Sequence, residues 1–365
     1  MNKQISNRLI GIDILRVVAM LFVVFLHTIY GFTLRTDFFL TKAWFVFEPF
    51  SAISQSSLAL FFIVSGYLVI HKNRTAMDNL KITLYRIVIP LISFSILYAL
   101  FYLFKTKQNP LIIFSPIYLF GDILKFPNNY LWFLQVLLFL YILNPLWQGI
   151  FSDKTKQNEA RYITIFFFLF TCTITILKYT TNNLFILNSF TTWIGYLCCY
   201  LYGGLLRNNW GWQLSKNFYF FIFIVGLVIE ILGNYFSILN QMNGTPFQFG
   251  TYFTDNMAIP PFLMAIGLFN ILIDVKNIEI ANKQVSIFRQ KFIQTFATLS
   301  YGIYLTHIFI SQSISDILEI NIDSAHTNAY IFNISFFAVT LFGAAIVTYI
   351  ISRIPKLRMI IGCSS

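Results

Sequence analysis

Residues Arg8 to Phe32 read RLIGIDILRVVAMLFVVFLHTIYGF. The run is long and apolar enough to cross a membrane as a helix, since about 20 residues at ~1.5 Å each span a hydrocarbon core of ~30 Å. It nevertheless carries Asp13, Arg16 and His27. A charge near the centre of a membrane helix costs about 2.5–3.5 kcal/mol on insertion scales, so such residues face protein or water rather than lipid. Arg16 and His27 are eleven positions apart. At about 3.6 residues per turn this is close to three turns, which places both side chains on one face, ~16 Å apart along the axis. One lies near the end where the chain enters, the other deep in the far half. That spacing suits a ligand held at one membrane face and chemistry performed toward the other. Asp13 stands three positions before Arg16, the spacing of a local ion pair.

The rest of the chain has the same character. Its 365 residues are 57% hydrophobic and 11% charged, with a mean hydropathy of +0.70, where soluble domains carry about 25% charge. The composition specifies an all-α, polytopic integral membrane helix bundle. The 43 Phe and 20 Tyr suit helices that pack in lipid and anchor at its interfaces. The net charge of +11 does not indicate nucleic acid, because no soluble basic domain with a recognition motif accompanies it. Cys172, Cys198, Cys199 and Cys363 form no C-x-x-C pair and no metal-like spacing with histidine. The first three lie in apolar runs and read as packing residues. The first apolar run is too long and too charged for a cleavable signal. No hydrophilic stretch is long enough for a soluble domain, so residues 1–365 read as one membrane domain.

Ten spans are expected, at 10–32, 50–70, 84–104, 131–150, 161–178, 189–206, 217–239, 256–274, 296–318 and 329–352. The apolar but Pro- and Gly-interrupted segment from Pro110 to Phe126 reads as a re-entrant or interfacial piece. With the N-terminus inside, eighteen Lys and Arg fall in cytoplasmic segments and six in outer ones. That asymmetry specifies ten helices with both termini cytoplasmic. His27 then lies in the outer half and Arg16 near the cytoplasmic face.

Further polar residues interrupt the later helices. Ser65-Gly66 in the second span permits close helix approach. Arg86 opens the third, with Pro90 in its first turns. Glu230 lies inside the seventh, where an isolated carboxylate must be protonated, paired or beside a wet cavity. Pro260-Pro261 is expected to bend the eighth. His307 falls near the middle of the ninth. Asp316, Glu319, Asp323 and His326 read as a solvated outer loop.

Several separated segments resemble the acyltransferase-3 membrane proteins, which O-acylate cell-surface glycans. Asp13-Ile14-Leu15-Arg16 followed by His27 is similar to that family's leading helix. Phe61 to Leu68, FFIVSGYL, resembles its second motif. Arg86 to Pro90 resembles the opening of its third helix, Leu131-Trp132-Phe133-Leu134 its LWFL segment, and Ser300 to His307 its SxGIYLxH segment. The chain departs from the pattern at Tyr130, often histidine in the family, and at Thr83, often a second arginine. It also lacks the soluble esterase-like domain of many relatives.

The resemblance implies a bacterial plasma-membrane O-acyltransferase of exopolysaccharide biosynthesis. Its donor would be an acyl-CoA, usually acetyl-CoA, with no metal. Its acceptor would be a sugar hydroxyl of a surface glycan or a lipid-linked precursor. Carried over, His27 is the catalytic base, assisted by Arg16. Read from the residues themselves, Arg16, Arg86 and Ser65 are the donor-binding candidates and His307, Glu230 and Trp132 the acceptor-binding ones, with His307 and Glu230 reading alternatively as structural polar links between helices. An exporter of exopolysaccharide on the same fold is the alternative. It is disfavoured by the lack of an internal repeat with paired broken helices.

Overall fold

The computed structural model describes residues 9–72, 74–115, 130–180, 191–244, 250–274, 283–317 and 329–362. Among the described residues, each of the ten expected spans contains a helix and no strand occurs. Helix α1 is Ile10–Phe25, continued by a π-helical segment, Leu26–Tyr30. Then follow α2 (Lys42–Ser54), α3 (Ser57–Val69) and α4 (Ala76–Thr83). A second π-helical segment, Leu84–Val88, leads into α5 (Ile89–Lys105). The remaining helices are α6 (Trp132–Ile142), α7 (Asn144–Phe151), α8 (Gln157–Thr180), α9 (Thr192–Arg207), α10 (Lys216–Met242), α11 (Ile259–Leu272), α12 (Lys283–Ile317) and α13 (Ala329–Arg353).

Among the described residues, seven helices are long and apolar enough to cross a membrane, or eight if the bent pair α6–α7 is one span. Helices α9 and α12 are not among them; α9 has only 16 residues, while α12 runs for 35.

Several boundaries correct the sequence reading. The second span starts at Lys42 rather than 50 and is interrupted at Gln55-Ser56, so α2 brings a carboxylate, Glu48, into the bundle. The fourth is not straight, because α6 and α7 meet at 51°. Pro145 at the start of α7 cannot donate the hydrogen bond that would continue α6. Pro260 and Pro261 do not bend a helix. They occupy the first turn of α11, where backbone N–H groups have no intrahelical acceptor to lose. The segment expected to be re-entrant begins with a 3₁₀ turn, Pro110–Phe114, and the rest of it lies outside the described residues. So do Glu319, Asp323, His326 and Cys363. Asp316 belongs to the last turns of α12 rather than to a loop.

Helix α1 is the centre of the bundle, packed by α12 on one side and α3 on another. Leu15, Ala19, Met20 and Val24 are wholly buried. Lipid tails are as apolar as leucine, so membrane helices associate through close packing and interhelical hydrogen bonds. Both are visible here. Gly66 of α3 lies against the Tyr200 carbonyl of α9, and Gly203 of α9 lies against the Ile63 carbonyl of α3. Each glycine leaves no room for a side chain, which is why these two helices pack so tightly. The Tyr200 hydroxyl donates to Asn144 Oδ1 at 2.8 Å, and the Tyr98 hydroxyl to the Leu305 carbonyl at 3.1 Å. Such bonds are worth ~0.6 kcal/mol on average within a membrane protein. Cys172, Cys198 and Cys199 are buried free thiols, as expected of packing residues.

Candidate active site

His27 lies on the π-helical segment that ends the first span. Such wide turns are rare and concentrate at functional sites. His27 is deep in the bundle, yet its ring is open to space, because it lines two cavities. The outer cavity is about 380 Å³ and is bordered by Lys105, Tyr130, Ser311, Gln312 and Asp316. Lys105 and Asp316 form a half-exposed ion pair of 2.7 Å at its rim. The inner cavity is about 170 Å³ and is bordered by Tyr30, Gln55, Ser57, Tyr130, Trp132 and Asn256, among others. His27 and Tyr130 line both, so they stand where the two cavities meet.

His307, from the C-terminal third of α12, stands beside His27 with ring centroids 5.2 Å apart. It is almost wholly buried and lines neither cavity. Its Nδ1 is 2.6 Å from the Tyr304 carbonyl. A carbonyl only accepts, so Nδ1 carries the hydrogen and donates it. In the neutral ring Nε2 then holds the lone pair, and it has no partner among the described residues. Tyr304 is fixed in turn, its hydroxyl donating to the Tyr130 carbonyl at 2.6 Å. Tyr130 meets His27 edge-on at 5.5 Å. The order His307, Tyr304, Tyr130 thus frames His27 on two sides.

Trp132 opens α6 and lines the inner cavity, with Tyr196 at 5.7 Å behind it. Glu230 is elsewhere. It is fully buried on α10 and lines neither cavity. It faces Glu48, whose Oε1 accepts from Asn234 Nδ2 at 2.7 Å. Tyr30, which lines the inner cavity, lies within electrostatic reach of both carboxylates.

The other end of α1 is cationic. Arg86, Arg74 and Arg16 lie within electrostatic reach of Tyr141, and Ser65 adjoins its hydroxyl. Arg86 stands on the second π-helical segment and its side chain is exposed. Lys72 and His71 adjoin this group just beyond α3, and Arg207 adjoins His71. Burial lowers the His71 pKa from its ordinary value, and the Arg207 and Lys72 charges lower it further. Burial likewise lowers that of Lys72, followed by Arg74 and Arg86. The excess of positive charge makes this end a site that an anion would relieve.

The tertiary structure therefore gathers Arg16, Arg86 and Ser65 at one end, and His27, His307 and Trp132 at the other. Sequence reasoning missed Arg74, Lys72 and His71 as members of the cationic group. It also missed Glu48, Gln55, Ser57 and Asn256. The run Trp44 to Phe50 held a signal for Glu48, an acid in an otherwise apolar stretch.

A family model described as an acyltransferase domain, acyltransferase-3, matches residues 9–353. No curated protein and no solved structure matches the chain.

Proposed function

The chain belongs to the acyltransferase-3 family of multi-pass membrane acyltransferases, and on that premise we propose that it moves an acyl group from acyl-CoA, most simply acetyl-CoA, to a hydroxyl of a bacterial surface glycan or its lipid-linked precursor. The protein would act in the plasma membrane, with the cationic end of α1 in the cytoplasm and the histidine end toward the outside. The observation that carries this reading is the polarity of α1. A cluster of guanidinium groups around Arg16 occupies one end, and a histidine open to two cavities occupies the other.

Arg16, Arg74 and Arg86 hold the donor's phosphates, since guanidinium matches phosphate in paired hydrogen bonds. Ser65 lies in the same group and lines the donor's path. Eleven residues of helix give a reach of ~16 Å from Arg16 to His27, a distance that the extended pantetheine arm covers. His27 takes the proton of the acceptor hydroxyl as that oxygen attacks the thioester carbonyl. The C–O bond forms, the C–S bond breaks, and the proton passes from His27 to the departing thiolate. The products are the acyl ester and free CoA, with no net change in protons. An imidazole suits this exchange because its ordinary pKa lies near neutrality. His307 is a positioning residue, holding the His27 ring at the cavity junction. Trp132 contacts the acceptor.

The test compares the wild type with His27→Ala, both purified in detergent and checked for folding. Release of free CoA from acetyl-CoA is followed with and without a crude surface-glycan fraction. Glycan-dependent release by the wild type alone, with CoA still bound by the variant, is the expected result. No release and no CoA binding by the wild type, with polymer retained in cells lacking the protein, would overturn the proposal in favour of export.

A further inference from the structure

Four helix breaks or helix starts converge on the inner cavity. His27 and Tyr30 come from the π-helical segment after α1. Gln55 and Ser57 flank the break between α2 and α3. Trp132 is the first residue of α6, and Asn256 precedes α11. Irregular backbone at membrane depth is tolerated only where it is buried in protein or lines a polar space. The convergence of four such sites on one cavity marks that space as built.

Its walls are polar and incompletely satisfied. The Ser57 hydroxyl and Asn256 Oδ1 are buried without a hydrogen-bond partner among the described residues, and Tyr30 lies against Gln55. A buried polar group without a partner is costly, so these atoms are poised for a ligand's hydroxyls. Asn256 is held in place by its neighbour Asp255. That carboxylate takes hydrogen bonds from Lys178 and Tyr179, each at 2.7 Å, and from the Met257 amide at 2.9 Å. Trp132 adds a flat apolar face. An aromatic plane opposed by short hydroxyl and amide side chains is what a sugar ring presents its faces and edges to.

Size then decides how much sugar enters. At about 170 Å³ the inner cavity lies below the ~300–1,000 Å³ of pockets for drug-sized ligands. A space of that size matches one ring with its hydroxyls rather than two linked rings. The outer cavity, at about 380 Å³, shares His27 and Tyr130 with it and opens at the Lys105–Asp316 rim. We infer that the inner cavity is the acceptor subsite, taking the single terminal sugar residue of a glycan whose remaining residues lie in the outer cavity, with Ser57 and Asn256 reading that residue's hydroxyls. This inference rests on the acyltransferase reading above. It adds that modification is confined to chain ends, because an interior residue would need to thread chain through both sides of a cavity sized for one ring.

The experiment uses the full-length protein in detergent, ¹³C-acetyl-CoA and the crude surface-glycan fraction. Nuclear magnetic resonance of the product locates the label. Label on terminal residues only is expected. Label on interior residues would overturn the inference while leaving acyl transfer intact. An absence of glycan-dependent CoA release would instead sink the acyl-transfer reading itself, so the two failures are distinct. Asn256→Leu and Ser57→Ala supply the second readout, the latter removing one oxygen only. Each should raise the KM for glycan about tenfold, the effect of one lost hydrogen bond, with the KM for acetyl-CoA unmoved. Folded variants whose KM for glycan stays at the wild-type value would also overturn it.

Discussion

His27 and His307 stand ring beside ring, 5.2 Å between centroids, although 280 positions separate them in the chain. The buried ring is fixed by its bond to the Tyr304 carbonyl, while the other opens to the cavities. This division of labour assigns different sensitivities to the two histidines.

Replacing His27 by alanine should lower glycan acylation by ~10²–10⁴-fold, the usual worth of a positioned general base. His307→Asn keeps a donor that can reach the Tyr304 carbonyl, whereas His307→Phe keeps only the bulk. The asparagine variant should therefore retain clearly more kcat than the phenylalanine variant, with the KM for acetyl-CoA equal in both. Equal loss in the two variants would show that the ring's hydrogen bond to Tyr304 has no part in holding His27.

The cationic end should control donor binding alone. Arg74→Ala and Arg86→Ala each remove a charge-assisted contact, worth about 1.5–3 kcal/mol, so the KM for acetyl-CoA should rise by roughly 10–100-fold. The KM for glycan should not move. Added salt should weaken donor binding in the wild type more than in either variant, because the interaction being screened is partly lost in the variants.

Donor binding should also depend on pH through His71. In the free protein its pKa is lowered by burial and by the Arg207 and Lys72 charges. A phosphate dianion nearby favours the charged imidazole and raises that pKa. Binding then takes up protons, and affinity rises as pH falls through the raised pKa of the bound state toward the free-state pKa, which lies below the ordinary 6.5. Calorimetry of CoA binding in two buffers of different ionisation enthalpy measures the uptake. In His71→Gln it should vanish and the affinity should become flat over the same range.

Helix packing offers a test independent of activity. A β-carbon at Gly66 would run into the Tyr200 carbonyl, a backbone atom that cannot swing aside. Gly66→Ala should therefore cost about 1–3 kcal/mol, as overpacking usually does, and lower the melting temperature in detergent. Gly149 has nothing within 4 Å of its would-be β-carbon and sits inside α7. Gly149→Ala should leave stability unchanged or raise it by ~0.5–1 kcal/mol, the helix preference of alanine over glycine.

Much of this was legible from residue order. The all-helical, membrane-spanning character was there, although seven or eight rather than ten helices among the described residues are long and apolar enough to cross, and the α3–α9 contact through Gly66 follows the small-residue rule. The positions of Arg16 and His27 toward opposite ends of one helix also follow from their spacing alone. Helix ends were less legible. Lys42–Phe47 reads as a loop because Lys42 and Glu48 break the apolar run, yet α2 begins there, its start capped by Thr41 accepting from the Trp44 amide. Pro260-Pro261 reads as a bend until its place in the first turn is known.

A membrane helix bundle and two ends of one helix were readable from residue order, because hydropathy and the 3.6-residue repeat are local properties of consecutive residues. That His307 backs His27, that Trp132 lines the inner cavity and that Glu230 lines neither cavity came from the packing of separate helices. Those relationships arise where side chains from separate helices meet across packed interfaces. A cavity is the space those side chains leave unfilled, and no repeat along the chain records it.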